Sequence, residues 1–386
     1  MAKTFKFGEN GKWATKTGSS LAFNDQNDNF KPMPFSVTRD SIATRVNKQG
    51  LIEVVGHDKL RIDYTDSTKG VALLEPARTN YLKNNQNLQG SGWANNGGIT
   101  LEFNQDDPFG GSNAVKMTDF NDNADRYDAN TSKAGVSGET VTYSGYYKGS
   151  GSINITINTS TGLGGSFEKT IDLTDEWVRH EIKHTFTSDV TGTYRAHTAI
   201  TRAANNDAVV YLSYPQIEVG SYATSIIITG NSKAERAADV ANGAGNSEVF
   251  NDSEGVLFAN IQGLVDGGNG NKYLILSDKT TSNSIIIQYG NNGGLFLSNS
   301  GSSFYVNNNI DLTKNIKLAI KYGTLTSDYK VYIDGFEGNI ESAFSATALS
   351  GVDDLSFEYV TGSNQFNGKA KEIGVYDAVL TDAELE

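Results

Sequence analysis

The sequence has no cysteine and only 5 prolines among its 386 residues. The missing cysteines exclude disulfide bonds, thiol chemistry and cysteine-ligated zinc sites. No apolar run approaches the roughly 18 residues of a membrane-spanning helix, and the start, MAKTFKFGENGKW, lacks the apolar core of a signal peptide. We therefore expect no membrane insertion, and release by lysis rather than secretion if the protein acts outside a cell.

Charged residues are also few, at 20% of the chain, and the net charge is −13 with an isoelectric point near 4.8. Binding to the phosphates of nucleic acids requires clustered Lys and Arg side chains, and the sequence has no such cluster. We therefore expect no nucleic acid partner. The acidic balance mainly favours solubility.

Glycine and aromatic residues are abundant instead, with 41 Gly, 18 Tyr and 18 Phe. Short strand-like runs such as TVTYSGYYKG, GSINITINTS and AVVYLSYPQIEVG recur at intervals of about 10–15 residues, separated by Gly, Asn, Asp and Ser. This spacing is typical of antiparallel sandwiches. The sequence therefore predicts an all-β fold, in which an N-terminal extended, β-rich attachment segment precedes two antiparallel β-sandwich (jelly-roll) domains.

Changes in composition mark the expected domain boundaries. Residues 1–82 hold three of the five prolines and predict an attachment arm or a small β module. Residues 83–228 and 251–386 contain the two series of strands. Residues 229–250 are small and polar, and we interpret them as a linker with one short helix over residues 234–240. The last segment, LTDAELE, predicts the start of a short C-terminal helix.

A literal H-E-x-x-H motif, the signature of zinc proteases, occurs at residues 180–184. On a helix, His180 and His184 would be neighbours about 5–6 Å apart, whereas four residues of strand span about 13 Å, too far for two ligands of one zinc ion. Val178, Ile182 and Phe186 alternate with polar and β-branched residues here, which indicates a strand. The motif match is therefore interpreted as accidental.

Paired carboxylates would indicate a glycosidase, whose retaining forms need two carboxyl groups about 5–5.5 Å apart. No strand-like run in the sequence places acids at i and i+2 for this purpose. Asp334 and Glu337 lie across a turn, because Asp334-Gly335 is a hairpin signal. We therefore expect no enzyme activity. The alternative is a glycosidase site built from acidic residues that are distant in sequence.

One polar loop, TDFNDNADRYDAN, resembles half of a calcium-binding loop. Asp119, Asn121 and Asn123 match the first ligands of an EF-hand, but Ala124 stands where glycine is required and Asn130 where the bidentate glutamate belongs. We therefore expect no cofactor, with a looser structural calcium site at the first three residues as the alternative.

Aromatic side chains in loops and on strand surfaces can stack on sugar rings. Trp93, Tyr127 and Tyr146 are the candidate glycan-binding residues. Tyr147 is a further aromatic candidate, but Tyr143 and Tyr147 share the strand parity of Val141 and are expected in the core.

Three segments together resemble structural proteins of tailed bacteriophages, such as head fibres, head spikes and tail fibres. Residues 43–82, which end in EPARTNYL, resemble a segment of those proteins. Residues 90–229, which end in YPQIEVGSYATSIIIT, resemble the carbohydrate-binding-module-like jelly roll that follows it there, although Ile226-Ile227-Ile228-Thr229 replaces the usual aromatic-Ile-Pro-Thr. VYIDG and FNGKAKEIGVYDAVLTDAELE resemble the late strands and last helix of concanavalin A-like, laminin-G-like lectin domains.

The resemblance implies a virion surface protein, either a head fibre or capsid decoration or a tail fibre, made in the host cytoplasm. Its N-terminal segment would contact other virion proteins, its sandwiches would adhere to host or environmental glycans, and a homotrimer is expected. The resemblance supplies no catalytic residue. Two alternatives stay open: a decoration or scaffold protein without a glycan ligand, and a depolymerase of surface polysaccharide.

Overall fold

Strands joined by turns make up nearly all of the fold in this computed structural model. The two helices among the described residues are a 3-10 helix, Thr326–Asp328, and α1, Asp382–Leu385. The strand pairs of the described residues are antiparallel, and the nearly all-β structure confirms the all-β prediction. The structure describes residues 4–8, 13–16, 19–24, 29–32, 35–120, 125–159, 166–190, 192–200, 207–264, 271–290 and 294–385.

The N-terminal region consists of short strands. They are β1 (Thr4–Phe7), β2 (Trp13–Lys16), β3 (Ser19–Asn24), β4 (Asn29–Pro32), β5 (Ser36–Thr38), β6 (Ala43–Val46), β7 (Ile52–Val55), β8 (Arg61–Asp63), β9 (Val71–Leu74) and β10 (Arg78–Asn80). The order β2-β3-β4 forms one small sheet, and β6-β7 forms a hairpin.

The first sandwich is built from two sheets. Sheet 1 has the order β11-β14-β19-β16-β17, and sheet 2 has the order β12-β13-β20-β15-β18. Their strands are β11 (Trp93–Asn96), β12 (Thr100–Gln105), β13 (Ala114–Thr118), β14 (Arg126–Ala134), β15 (Thr140–Ser150), β16 (Ser152–Thr159), β17 (Ser166–Asp172), β18 (Val178–Thr185), β19 (Thr193–Ile200) and β20 (Val209–Val219).

Two short strands follow the first sandwich, and the second sandwich begins after them. The short strands are β21 (Ala234–Arg236) and β22 (Val240–Asn242). The second sandwich contains β23 (Glu254–Gly263), β24 (Lys272–Ser277), β25 (Ser284–Tyr289), β26 (Leu295–Asn299), β27 (Ser302–Asn307), β28 (Ile316–Gly323), β29 (Lys330–Ile333), β30 (Phe336–Gly338), β31 (Asp354–Ser356) and β32 (Gly368–Tyr376).

Strands of the N-terminal region complete the second sandwich. Its sheet 3 has the order β30-β29-β28-β23-β32-β9-β8, and β1 also pairs with β32, while sheet 4 has the order β27-β26-β25-β24-β31. Phe7, Ile62 and Leu74 belong to the same buried apolar cluster as Leu257 and Ile287. The N-terminal region and the second sandwich therefore share one core.

The first sandwich has its own core, and strand alternation explains it. In β16, Ile153, Ile155 and Ile157 are fully buried, whereas Asn154 and Asn158 lie on the outer face. Each fully buried isoleucine stabilises the fold by about 1.5–3 kcal/mol relative to an exposed one. The same alternation buries Tyr143 and Tyr147 of β15, as predicted.

A buried ionic cluster, here called the clasp, joins the N-terminal region to the segment between the sandwiches. The Arg61 guanidinium lies 2.6 Å from Oε2 of Glu75 and also pairs with Asp239. Arg236 lies 3.0 Å from the same Glu75 oxygen, and Arg39 lies 2.6 Å from Oδ1 of Asp239. The clasp consists of Arg39, Arg61, Glu75, Arg236 and Asp239.

The helix predicted over residues 234–240 is wrong. Ala234–Arg236 forms β21 and pairs with β10, and Val240–Asn242 forms β22 and pairs with β5. Arg236 and Asp239 are buried in the clasp. Ion pairs and strand pairing with the N-terminal region thus override the local helix-favouring composition.

The Asp334-Gly335 hairpin and the short C-terminal helix are confirmed. Asp334 and Gly335 join β29 to β30 with φ angles of 51° and 87°, as a two-residue turn of this type requires. The side chain of Asp334 accepts a hydrogen bond of 2.9 Å from the Lys317 backbone N–H.

Among the described residues, no helix has the length and hydropathy to cross a membrane.

Candidate functional site

The H-E-x-x-H motif lies on a strand, as predicted. β18 runs from Val178 to Thr185 and pairs with β15, so that His180 faces Gly145 and His184 faces Val141. The His184 ring stacks on Phe167, with ring centroids 3.3 Å apart and an interplanar angle of 17°. In the described part of the chain, no three acidic or histidine side chains are placed to hold a metal ion. The motif is part of the sandwich and not a zincin site.

The calcium candidate is described only in part. Asp119 is exposed and adopts a φ of 59°, and its Oδ2 accepts a hydrogen bond of 3.1 Å from the Thr118 hydroxyl. Asn121 and Asn123 lie outside the described residues. The calcium site therefore stays a prediction.

Two of the candidate glycan-binding residues pack against each other. The rings of Trp93 and Tyr127 are stacked with centroids 5.3 Å apart. Tyr127 is only 2% exposed and donates its hydroxyl hydrogen bond to the Leu88 carbonyl, and the Trp93 indole donates to the Lys83 carbonyl at 3.0 Å. Tyr127 is therefore a core residue and not a surface platform, and the half-buried Trp93 anchors residues 83–88 to the sandwich.

Tyr146, the third candidate, lies on the outer face of sheet 2. Its neighbours Tyr143 and Tyr147 point into the core, where their hydroxyl groups share a hydrogen bond of 2.8 Å. Tyr146 pairs with Arg179 across β15 and β18, and the Arg179 guanidinium lies 5.8 Å from the centre of the Tyr146 ring. Tyr146 is half-buried.

Two further aromatic residues extend this face. Lys148 is the next outward residue of β15, and its ammonium lies 4.9 Å from the Trp177 ring centre and 5.0 Å from that of Tyr211. The two rings are 6.5 Å apart and nearly perpendicular. All of these side chains are half-buried. We call this surface the aromatic strip and define it by Tyr146, Lys148, Trp177, Arg179 and Tyr211.

Sequence reasoning missed Trp177 and Tyr211. The outward parity of Tyr211 in AVVYLSYPQIEVG was a usable signal, because Val210 and Leu212 on either side are fully buried. Trp177, in contrast, precedes its strand, and its approach to Lys148 depends on the pairing of β15 with β18 and β20. No local pattern could have shown that contact.

One end of the aromatic strip opens into a cleft of about 210 Å³. Tyr146 and Arg179 line it together with residues of the N-terminal region and the loop over residues 223–226. The polar side chains in its wall include Arg45, Asp63, Thr65 and Lys369. The strip and cleft thus form a continuous surface of aromatic rings and hydrogen-bonding groups.

A second cleft, of about 260 Å³, lies in the second sandwich beside β24 and β31. Its wall includes Lys279, Asp354, Glu358 and Tyr359. The Tyr359 ring contacts that of Tyr273, with centroids 4.7 Å apart. Burial raises the pKa of Asp354 above its ordinary value.

The EPARTN motif and the YPQIEVGSYATSIIIT motif, which bracket the first sandwich, contact each other. In EPARTN, Glu75 accepts hydrogen bonds of 2.8 and 2.6 Å from the backbone N–H and hydroxyl of Ser225. The Asn80 side chain donates to the Ile227 carbonyl at 3.1 Å and accepts from the Ile217 N–H at 3.2 Å. The two motifs that bracket the first sandwich therefore close it, which is a structural role.

Within the closing motif itself, buried polar side chains satisfy the backbone. The Glu218 carboxylate accepts hydrogen bonds of 2.8 and 2.7 Å from the N–H and hydroxyl of Thr224. The Gln216 side chain donates to Glu218 at 2.6 Å and accepts from the Ile227 N–H at 2.7 Å. These contacts hold the loop that forms part of the cleft wall.

Comparisons with known proteins find no matching family model and no matching curated protein. Among solved structures, the xylan-binding domain CBM22-1 of Xyn10C from Paenibacillus barcinonensis is 17% identical, with a TM-score of 0.30, covering 38% of this chain and 94% of its own. The CBM40 domain of the Ruminococcus gnavus IT-sialidase is 16% identical, with a TM-score of 0.29, covering 37% of this chain and 91% of its own.

The tandem domains CBM22-1 and CBM22-2 of the same Paenibacillus protein match over a longer range. They are 11% identical, with a TM-score of 0.30, and cover 79% of this chain and 97% of their own. Likenesses at these low scores carry no argument about a ligand of this chain. Its fold and candidate surface rest on the strand pairing and the contacts described above.

Proposed function

We propose that this chain is a noncatalytic bacteriophage virion surface protein, a head fibre or decoration or a tail fibre, that adheres to host or environmental glycans. The aromatic strip is the observation that carries the glycan-binding part. Ligand sites combine aromatic surface with a few placed polar groups. Here Tyr146, Trp177 and Tyr211 are half-buried residues of one surface, and Tyr146 lines a cleft whose wall includes polar side chains.

The chemistry of the strip suits a sugar. Aromatic faces pack against the C–H faces of pyranose rings, while neighbouring amine, guanidinium and hydroxyl groups hydrogen-bond to sugar hydroxyls. A shallow strip of this size binds weakly by itself. Many copies on one particle would convert weak binding into strong attachment, because linked sites bind at a high effective concentration.

The virion part of the proposal is supported by the resemblance of the bracketing motifs. In this proposal residues 1–82 contact other virion proteins, the protein is a homotrimer, and it reaches the virion surface after synthesis in the host cytoplasm. Immunogold labelling of intact particles tests the location, and light scattering of the purified chain tests the trimer. Labelling of lysate without labelling of particles would contradict the location.

Glycan binding is tested by a glycan array with the full chain and two variants. We expect Trp177→Ala and Tyr211→Ala each to weaken binding by roughly tenfold, as loss of an aromatic contact worth about 1.4 kcal/mol would do. Phe336→Ala is the matched control, because Phe336 is 79% exposed at the hairpin of β29 and β30, remote in sequence from the strip. Binding that survives both strip variants would rule out this surface.

A second candidate is a decoration protein without a glycan ligand. The observation that favours it is that the motifs shared with phage proteins are occupied by contacts within the chain, such as that of Glu75 with Ser225. Particles that carry the protein, combined with an array on which no glycan binds, would support this alternative over adhesion.

A further inference from the structure

Two cations of the aromatic strip, Lys148 and Arg179, form no ion pair with a carboxylate in the described part of the chain. Lys148 lies between the rings of Trp177 and Tyr211, and no acidic side chain of the described residues forms an ion pair with it. Arg179 lies over Tyr146, and its Nη2 donates a hydrogen bond of 2.9 Å to the Ser144 hydroxyl. The Nε of Arg179 is buried and has no acceptor.

Three other cations around this face have carboxylate partners. Lys116, beside Tyr211 in the sheet register, lies 2.6 Å from the Glu102 carboxylate. In the cleft wall, Arg45 donates to Glu53 at 2.7 Å, and Lys369 pairs with Asp66.

Three carboxylates near the strip already have ion-pair or hydrogen-bond partners. Glu181 pairs with Lys183 at 3.1 Å and accepts a hydrogen bond of 3.0 Å from the Ala223 N–H. The two oxygens of Asp63, in the cleft wall, accept hydrogen bonds from the backbone N–H groups of Val46 and Thr65. Glu75 is held in the clasp. The strip itself contains no acidic residue, so the charges of Lys148 and Arg179 are not balanced by an ion pair among the described residues, although the chain as a whole has a net charge of −13.

Partial burial removes water from a cation, which costs free energy. A cation–π contact offsets only about 0.5–2 kcal/mol of that cost, so a half-buried cation that faces only aromatic rings is incompletely compensated. An anion brought by a ligand would restore the missing partner. Tyr146 and Lys148 are two residues apart on one face, or about 7 Å, and Arg179 faces Tyr146 across the register. A sugar ring on the strip would thus have a cation near either end.

We propose that the aromatic strip selects acidic glycans, with the carboxylate of a uronic acid residue bound by Arg179 and a second negative group near Lys148. The planar guanidinium suits a carboxylate, because it can donate two parallel hydrogen bonds to it. This inference rests on the proposed function, and it adds the ligand class and the two residues that recognise it.

Paired ligands test the inference. Oligogalacturonate, oligomannuronate and hyaluronan oligosaccharides are each compared by isothermal titration calorimetry with the same oligosaccharide after reduction of its carboxyl groups to alcohols. We expect at least one acidic form to bind roughly tenfold more tightly than its reduced form, which is about 1.4 kcal/mol. We also expect its affinity to fall as salt rises, because the ion pairs are partly exposed.

Variants locate the effect on the two cations. Arg179→Gln and Lys148→Gln should each weaken binding of the acidic form much more than binding of the reduced form and so remove the preference for the acidic form, and Arg179→Lys should keep part of the preference. Lys314→Gln is the control, because Lys314 is 79% exposed in the second sandwich. A sulfated oligosaccharide that binds as well as the uronate would overturn the assignment to carboxylates.

The outcomes separate the two proposals. Equal binding of acidic and reduced forms, or binding of neutral glycans alone, would overturn the inference and leave glycan adhesion standing. No binding of any glycan in the titrations or on the array would overturn both.

Discussion

Oε2 of Glu75 lies 3.0 Å from Nη1 of Arg236, and both side chains are almost wholly buried. Glu75 belongs to the N-terminal region and Arg236 to the segment between the two sandwiches. The same carboxylate binds Arg61 and Ser225. The clasp therefore connects the N-terminal region, the end of the first sandwich and the segment before the second sandwich.

Removing the Glu75 charge should destabilise the protein strongly. Glu75→Gln leaves Arg61 and Arg236 buried with less compensating charge, and breaking a buried ion pair costs about 3–5 kcal/mol. Urea unfolding measures this loss. Glu102→Gln is the matched control, because Glu102 is 50% exposed in its pair with the partly exposed Lys116 and should contribute only about 0–1 kcal/mol. Equal midpoints for both variants would show that the clasp is not a stabilising element.

Acid should weaken the clasp. Burial alone would raise the pKa of Glu75, but the guanidinium groups of Arg236 and Arg61 hold it far below its ordinary value of 4.5. Because the folded state lowers this pKa, its stabilising contribution is fully present above about pH 4.5 and is lost as the pH falls towards the folded value. The loss amounts to at most about 1.4 kcal/mol per pH unit.

Unfolding free energies measured between pH 7 and pH 3 check this dependence. The wild-type chain should lose stability below pH 4.5 more steeply than Glu75→Gln, because the variant lacks the titrating group. Parallel curves for the two proteins would contradict the assignment.

The two histidines of the H-E-x-x-H motif should titrate below pH 6.5 and should not bind zinc. Burial lowers the pKa of both His180 and His184 below 6.5, and nearby Lys169 lowers that of His180 further. NMR titration of the imidazole signals measures both values. One equivalent of Zn²⁺ should leave these signals unchanged, whereas coupled shifts of both rings would mean that the strand assignment of this segment is incorrect.

The hairpin between β29 and β30 should be sensitive to its glycine. Gly335 has a φ of 87°, a conformation that costs a residue with a Cβ atom about 1 kcal/mol or more. Gly335→Ala should lower the free energy of unfolding by that amount. Gly56→Ala is the control, since an added Cβ there meets no atom within 4 Å. If Gly335→Ala is as stable as Gly56→Ala, the turn type is incorrect.

Several features follow from local pattern alone. The alternation around residues 178–186 predicts β18, and the inward parity of Tyr143 and Tyr147 predicts their burial, because side chains of a strand alternate between its faces with a period of two. Asp334-Gly335 predicts its hairpin for a similarly local reason, since only particular residues tolerate positive φ. These predictions needed no knowledge of what packs against the strand.

Other features depended on residues far apart in the chain. Tyr127 looked like a surface aromatic, but its hydroxyl reaches the Leu88 carbonyl and its ring lies under Trp93. The composition of residues 234–240 predicts a helix, but Arg236 forms an ion pair with Glu75, and its strand pairs with β10 instead. Local composition carries no information about partners that are distant in sequence. The contacts with those partners outweigh the weak secondary-structure propensity of the segment.

The amino-acid sequence by itself determined the all-β character and the faces of individual strands, because both follow from the period of two and from turn residues. Only the tertiary structure decided that Trp177, Lys148 and Tyr211 meet on one surface, and that Glu75, Arg236 and Asp239 close the clasp. The physical reason is that strand register and buried charge pairing bring together residues that are far apart in the chain, and the local sequence around each residue does not indicate its partner.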